Sequence, residues 1–552
     1  MTRLVKHCGF VMLVGLLGGP RANLYGDTSW INPSSGLWRE AANWSFGVPD
    51  MSQPATHIAF GGESKTVTVD PTTPATNLVI QRLNLSGPGV TNTLSLTGVV
   101  LEVRSTLEMR AGSALRIVDS TLRLSSAGSS FDVNAGDVCL ESGSIEATNV
   151  SSRIGRDGGV ATMRVAGGMA RFNEVLLGRR VSRSGAQGTL LLSGGILQVS
   201  GNLDVGADTN CTGEIVVTGG ELIAAATNFS SAIGEQGHGT LTVSNGIVRF
   251  DDVDVGRHTN VVGVFHAAGG SNWVNDLSLA RFPFSTGMVF QTGGQLIADV
   301  IQVGQEGRGE MAISGGILMA EEIRIAGATN TASGILMFNG GATMVSSNFV
   351  IGTMVSTGAV VLAGGTVAIT NGTSSATWQV AQGHATITGG SLLVDRLRLH
   401  SPSGGVAFNS GLLSSADTVV SNGLPFVVGD GTNAATFHLR GGTHYFQNGL
   451  VISPNATLTG CGVILGTIIN QGTIATNCGP PSPLLVNPVY AAGAFSFSFE
   501  SANGFTYIVE YAPAVDALTW NTLTLTNGTG SNTTIRDSSA TGANRFYRLR
   551  VQ

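Results

Sequence analysis

Charge is scarce in this chain. Lys, Arg, Asp and Glu make up 12% of its 552 residues, the net charge is −6, and no extended basic cluster occurs. The electrostatic footprint that a nucleic-acid partner requires is therefore missing. Aromatics are only 6% of the residues, and Lys and Glu are too few to build helices, so the apolar mass is Val, Ile, Leu and Ala, which suit pleated strands. An all-β chain follows. After the first twenty or so residues no apolar run is long enough to span a bilayer as a helix. Cysteine is limited to Cys8, Cys139, Cys211, Cys461 and Cys478, with no Cys-x-x-Cys pair and no zinc spacing. Neither a G-x-S-x-G elbow nor an H-E-x-x-H motif appears, which removes two common hydrolase signatures. Nothing in the residues calls for a cofactor or a metal.

What the chain does contain begins with an export signal. Arg3, Lys6 and His7 precede an apolar stretch from about Gly9 to Gly18, followed by small and turn-forming residues, the order of a secretory signal peptide. Residues 1–26 are assigned to it. A secreted, cell-surface or outer-envelope location is expected, with no transmembrane segment after cleavage.

Glycine is abundant, at 78 residues, and it is periodic. Pairs close an apolar strand at Gly167-Gly168, Gly194-Gly195, Gly219-Gly220, Gly269-Gly270, Gly293-Gly294, Gly315-Gly316, Gly340-Gly341, Gly364-Gly365 and Gly389-Gly390, and Asn245-Gly246 fills the missing place. A period of about 25 residues lies in the solenoid range. The text between the pairs repeats as well: GTLLLSGGILQVSGNLDVG, GTLTVSNGIVRFDDVDVG and GEMAISGGILMAEEIRIAG. Each coil reads as three short alternating strands. Leu241 and Val243 should face one way and Thr240 and Thr242 the other, while Val253 and Val255 should point in and Asp252 and Asp254 out. One coil cannot fold alone. About seven aliphatic side chains at ~2 kcal/mol each do not offset ordering about 25 backbones at ~1 to 2 kcal/mol each, so coils must stack. The expected fold is a right-handed parallel β-helix.

The recurring G-T-L-x-V-S-G-G with its I-G or V-G turn resembles the repeats of autotransporter passengers and of PEP-CTERM-associated surface proteins. The resemblance covers residues 150 to 480 and implies a parallel β-helix at the cell surface. The chain departs from both families after Cys478, where neither a translocator barrel nor a sorting motif follows.

The organisation then reads as a signal at 1–26, an N-terminal cap at 27–80, β-helix repeats at 81–479, a proline-rich linker at 480–488 and a C-terminal β-module at 489–552. The cap concentrates Trp30, Trp38 and Trp44. They either fill a coil that has nothing beneath it or stack on sugar rings. In the module, Tyr507, Tyr511, Trp520, Phe546 and Tyr547 are expected to form the core rather than a binding face.

β-Helices host polysaccharide lyases and hydrolases, whose sites place two or three carboxylates on one outward face of adjacent coils. The outward position two before the coil-closing glycine carries Asp204, Ala232, Asp254 and Gln302, a mixed column. Asp251, Asp252 and Asp254, close to Arg257 and His258, form the one acidic cluster, which a solvated turn with local ion pairs explains equally well. His438 and His444 flank Gly441-Gly442 and could meet, but two ligands make a weak zinc site. Gly429-Asp430-Gly431 is like a calcium turn without the array that would accompany it. Cys139 and Cys211 lie about three coils, some ~14 Å, apart and should not pair. Cys461 and Cys478 occupy matching places in two short terminal coils, where a disulfide fits. The reading is an exported structural or adhesive surface protein, a passive rod without a catalytic site. A polysaccharide-active enzyme and a carbohydrate-binding protein are the alternatives. An extracellular polysaccharide or a cell-envelope component is the expected partner class.

Overall fold

The protein is described here from a computed structural model covering residues 26–225, 230–327, 329–476, 483–503, 505–540 and 545–551. All but the last residue of the expected signal peptide, and Cys478, lie outside the described residues. Strands dominate. Helix among the described residues is limited to two short 3-10 turns, Ala41–Asn43 and Ala75–Asn77. The chain divides into two units, Met1–Asp252 and Val253–Gln552.

In the first unit three parallel sheets wind around one core, as the three-strand coils require. One sheet stacks Lys65–Val69, Asn92–Thr97, Ser113–Val118, Gly136–Leu140, Val160–Val165, Gln187–Leu192, Thr212–Val217 and His238–Val243 in parallel register. Its alternation sends Val67, Leu94, Leu115, Val138, Met163, Leu190, Ile215 and Leu241 into a single buried column. A second sheet aligns Leu101, Leu122, Ile145, Ala170, Leu197, Leu222 and Val248. The third aligns Ile58, Leu85, Met109, Val133, Ile154, Leu177, Val205 and Ile233. These aliphatic columns are the parallel-sheet form of a buried core, with each coil covering the one before it.

The ladder starts earlier than the repeat text. Thr28–Ser29 pairs with Thr56–Ile58, and Gly36–Leu37 pairs with Lys65–Val69. Residues 27–80, expected as a cap, thus contribute rungs of the solenoid themselves.

The second unit continues the same construction. Phe265, Val289, Met311, Leu336, Val360 and Ala385 form one inward column. After Thr476 the chain changes to antiparallel pairing. Val486–Ala491, Ala494–Glu500 and Asn532–Asp537 make one three-stranded sheet; Asn521–Asn527, Thr506–Ala512 and Phe546–Val551 make another. Phe497, Phe499, Tyr507, Val509 and Ile535 form their core, with Tyr547 packed against it. The first strand begins at Val486, inside the segment expected to be linker.

Not all the expected core aromatics of this module are inside. Phe546 is exposed. The guanidinium of Arg545 lies over Tyr511 at 4.2 Å and that of Arg548 over Trp520 at 4.4 Å, leaving both rings partly open. Aromatic identity marked these residues as apolar, but their half-exposed positions, Tyr511 on a strand and Trp520 just before one, let an Arg cover each ring through cation–π contact instead.

Candidate functional site

The N-terminal tryptophans come together through one isolated antiparallel bridge, Trp30 with Trp44. Trp44 meets Trp30 edge-on, ring centroids 5.1 Å apart, and Trp38 at 4.9 Å. The indole N–H of Trp38 donates to the Asn77 carbonyl at 3.0 Å, and that of Trp44 to the Trp38 carbonyl at 2.8 Å. The three residues are 2%, 0% and 3% exposed. The sugar-stacking role left open for Trp30, Trp38 and Trp44 is corrected by this burial. A ring packed on both sides presents no face to a pyranose, and these indoles fill the first coil instead.

Register, which sequence spacing alone does not give, identifies the outer ladder next to the third inward column of the first unit. His57, Asn84, Glu108, Asp132, Arg153, Leu176, Asp204 and Ala232 stand in successive rungs. Its early members precede the glycine-closed coils, so the repeat text does not mark them. His57 Nε2 lies 3.2 Å from the Asp27 carboxylate. Arg110 and the Asn134 amide both donate to Glu108, at 3.0 and 2.9 Å. Asp132 is buried and receives Arg153 at 2.8 Å, Arg156 at 2.9 Å and the Ser130 hydroxyl at 2.7 Å. Donors from the same and neighbouring coils thus anchor these carboxylates from several directions.

The same holds in the second unit. Asp254, expected to point outward, is buried, and its Oδ2 accepts Arg257 and Arg281, each at 2.7 Å. Asp204 is buried too. Alternation placed both off the core correctly, but long arginine side chains from the same and following coils fold over Asp254 and remove it from water. His258 stacks on Phe282 of the next coil at 5.3 Å.

The histidines flanking Gly441-Gly442 do not form a ligand pair. His438 Nδ1 faces the Thr459 hydroxyl at 3.0 Å. His444 is buried, its Nε2 2.8 Å from the Gly441 carbonyl and its Nδ1 2.9 Å from the Thr418 hydroxyl. The carbonyl can only accept, so Nε2 carries the proton, while the Thr418 hydroxyl beside Nδ1 donates to Ser415 Oγ at 3.0 Å. Burial pushes the His444 pKa down against the hydrogen bond to Gly441 and the charge of Asp417.

Asp430 is likewise closed on itself. It accepts the backbone N–H of Asn433 and the Asn433 amide, each at 2.8 Å, and the N–H and hydroxyl of Thr432 at the same distance. Those bonds hold its carboxyl well below the ordinary range and leave a capped turn. No group of three or more His, Cys, Asp or Glu suited to a metal ion occurs among the described residues. Cys139 and Cys211 are free thiols, as their separation requires, and Cys461 is disulfide-bonded.

The C-terminal module carries two further buried carboxylates that sequence reading did not single out. Glu510 is paired with Arg548 at 2.8 Å and Arg550 at 2.9 Å. Asp537 accepts the Tyr547 hydroxyl at 2.8 Å and a hydrogen bond from Arg545. Burial raises the Asp537 pKa, but donors from Ser539, Arg545 and Tyr547 outweigh it and hold the group at about 2. Burial and the same bond to Asp537 push Tyr547 up to about 12.

No protein-family model, curated protein or solved structure matches this chain.

Proposed function

We propose that this chain is an exported structural or adhesive surface protein, a passive solenoid that presents its outer polar faces without a catalytic site. One observation carries the reading. Three off-core carboxylates are engaged by arginine from their own or an adjacent coil: in the first unit Glu108 by Arg110 and Asp132 by Arg153 and Arg156, and in the second unit Asp254 by Arg257 and Arg281. Glycoside cleavage needs one carboxyl group that gives up a proton and a second that takes one, both open to the sugar. The N-terminal signal and the resemblance of the repeat to surface-protein repeats support an extracellular setting.

A second reading, carbohydrate binding, is favoured by one loop. Asn210 and Asn260 stand two residues before a strand with positive φ, of 58° and 62°, where the chain turns a corner. The same place in the following coil is Phe284, with φ 63° and 71% exposure, beside the half-open Phe282. A bulky side chain at positive φ is costly, so its retention at an exposed corner fits an aromatic platform.

Incubation of the full chain with a panel of acidic and neutral polysaccharides separates the readings. A passive structural protein yields no new reducing ends and no retention on the polymers. New reducing ends would overturn the proposal in favour of an enzyme. Retention that is lost in Phe284→Ala, without cleavage, would establish the binding reading.

A further inference from the structure

The last coil of the second unit exposes the core that it should close. Ile468 is in register with Leu450, and Ile474 with Leu458. Leu450 and Leu458 are fully buried, whereas Ile468 and Ile474, continuing the same inward columns, remain 39% and 41% exposed, with no coil stacked above them among the described residues. Val463, Leu465 and Ile469 in the same coils are exposed as well. The backbone is open as well. Among the described residues, Ile468–Asn470 pairs only with Leu450–Ile452, and Thr473–Thr476 pairs only with Ala456–Leu465. An exposed apolar edge of this kind is a template for another strand.

The usual protection is charge, and here it is missing. Between Arg440 and Glu500 the chain contains no Asp, Glu, Lys or Arg. A charge-free surface has no preference for a charged partner and does not repel its own copy. The first described coil of the first unit differs in that its interior is filled by buried Trp30, Trp38 and Trp44.

We propose that this last coil is the contact surface for a second copy of the same chain, the two end faces meeting about a two-fold axis. Such an axis, perpendicular to the coil stack, sets the facing edge strands antiparallel, an arrangement that satisfies their free N–H and C=O groups. Each inward column then finds its cover in the partner's column. The contact is isologous and closes at two copies, so no filament grows from it.

The purified full chain should sediment as a species of twice its sequence mass at micromolar concentration and dissociate on dilution. The double variant Ile469→Lys, Ile474→Lys should sediment as a single copy at every concentration, with an unchanged far-ultraviolet circular dichroism spectrum. A second measurement needs no variant: amide exchange at Ile468–Asn470 should slow by about tenfold or more between dilute and concentrated wild-type protein, because pairing removes the open edge. A wild-type chain that stays a single copy at all concentrations would overturn the proposal. So would concentration-independent protection of these amides, which would mean that another part of the same chain, such as its C-terminal module, covers the coil. Persistence of the two-copy species in the folded double variant would overturn it too.

Discussion

The two glycines of each coil-closing pair are required for different reasons. The second takes a left-handed turn, with φ of 70° at both Gly168 and Gly195 and 91° at Gly246 in the Asn-Gly variant. The first is held by the coil beneath it: a Cβ on Gly194 would lie 2.4 Å from the Ala166 carbonyl oxygen, and one on Gly219 would lie 2.6 Å from that of Ser193. The turn requirement was readable from the repeat, whereas the close approach needs the neighbouring coil. Gly195 suffers both, since its Cβ would stand 2.4 Å from the Gly168 carbonyl oxygen, while Gly185, at φ 85°, has open space around it. Gly195→Ala should therefore destabilise the fold by about 2 kcal/mol or more, and Gly185→Ala by about 1 kcal/mol, the cost of left-handed backbone alone. Chemical denaturation of the two variants compares them directly. If the two variants prove equal, backbone conformation and not coil contact is the dominant restraint.

His444 gives the fold a pH dependence at the same scale. Its folded pKa is lowered by burial from the ordinary 6.5, so the unfolded chain binds its proton more readily. Stability from the neutral buried ring is fully present above 6.5, and is lost as pH falls from there through the folded value. Thermal melts of wild type and His444→Gln should therefore differ most at neutral pH and converge in mild acid. A constant difference across that range would show that the ring contributes by packing alone.

At the scale of the element, coils differ in how their ends are secured. The opening coil uses three mutually packed indoles, and the sequence read correctly that they could serve as filling, but it could not decide against a sugar platform. The decision came from burial, which depends on Thr28–Ser29 and Gly36–Leu37 already belonging to the ladder. The closing coils have no such aromatics and use a cross-link. Cys461 is disulfide-bonded, and its expected partner Cys478 closes a short loop, so the bond should contribute roughly 3 kcal/mol. Non-reducing peptide mapping should recover a Cys461–Cys478 peptide, and reduction should lower the melting temperature. Recovery of Cys461 linked to another cysteine would refute the pairing. The C-terminal strands show the opposite limit of sequence reading. A β-module was legible there, but Tyr511 and Trp520 ended beneath arginines instead of within the core.

For the molecule as a whole, the sequence by itself determined the solenoid. Periodic glycine pairs, strands of alternating Val, Ile, Leu and Thr, and the scarcity of helix formers all reflect local backbone and side-chain preferences, which a chain carries wherever it is. Free Cys139 and Cys211 followed from coil spacing in the same way. Tertiary structure alone decided which polar residues share a ladder, that Asp132 and Asp254 are buried beneath arginines, that His438 and His444 face different hydroxyls, and that Ile468 and Ile474 end the inward columns uncovered. The physical reason is register. Coils here advance by different numbers of residues, 25 from Leu190 to Ile215 but 22 from Val289 to Met311, so neighbours across rungs are set by backbone hydrogen bonding between coils and not by any constant spacing along the chain.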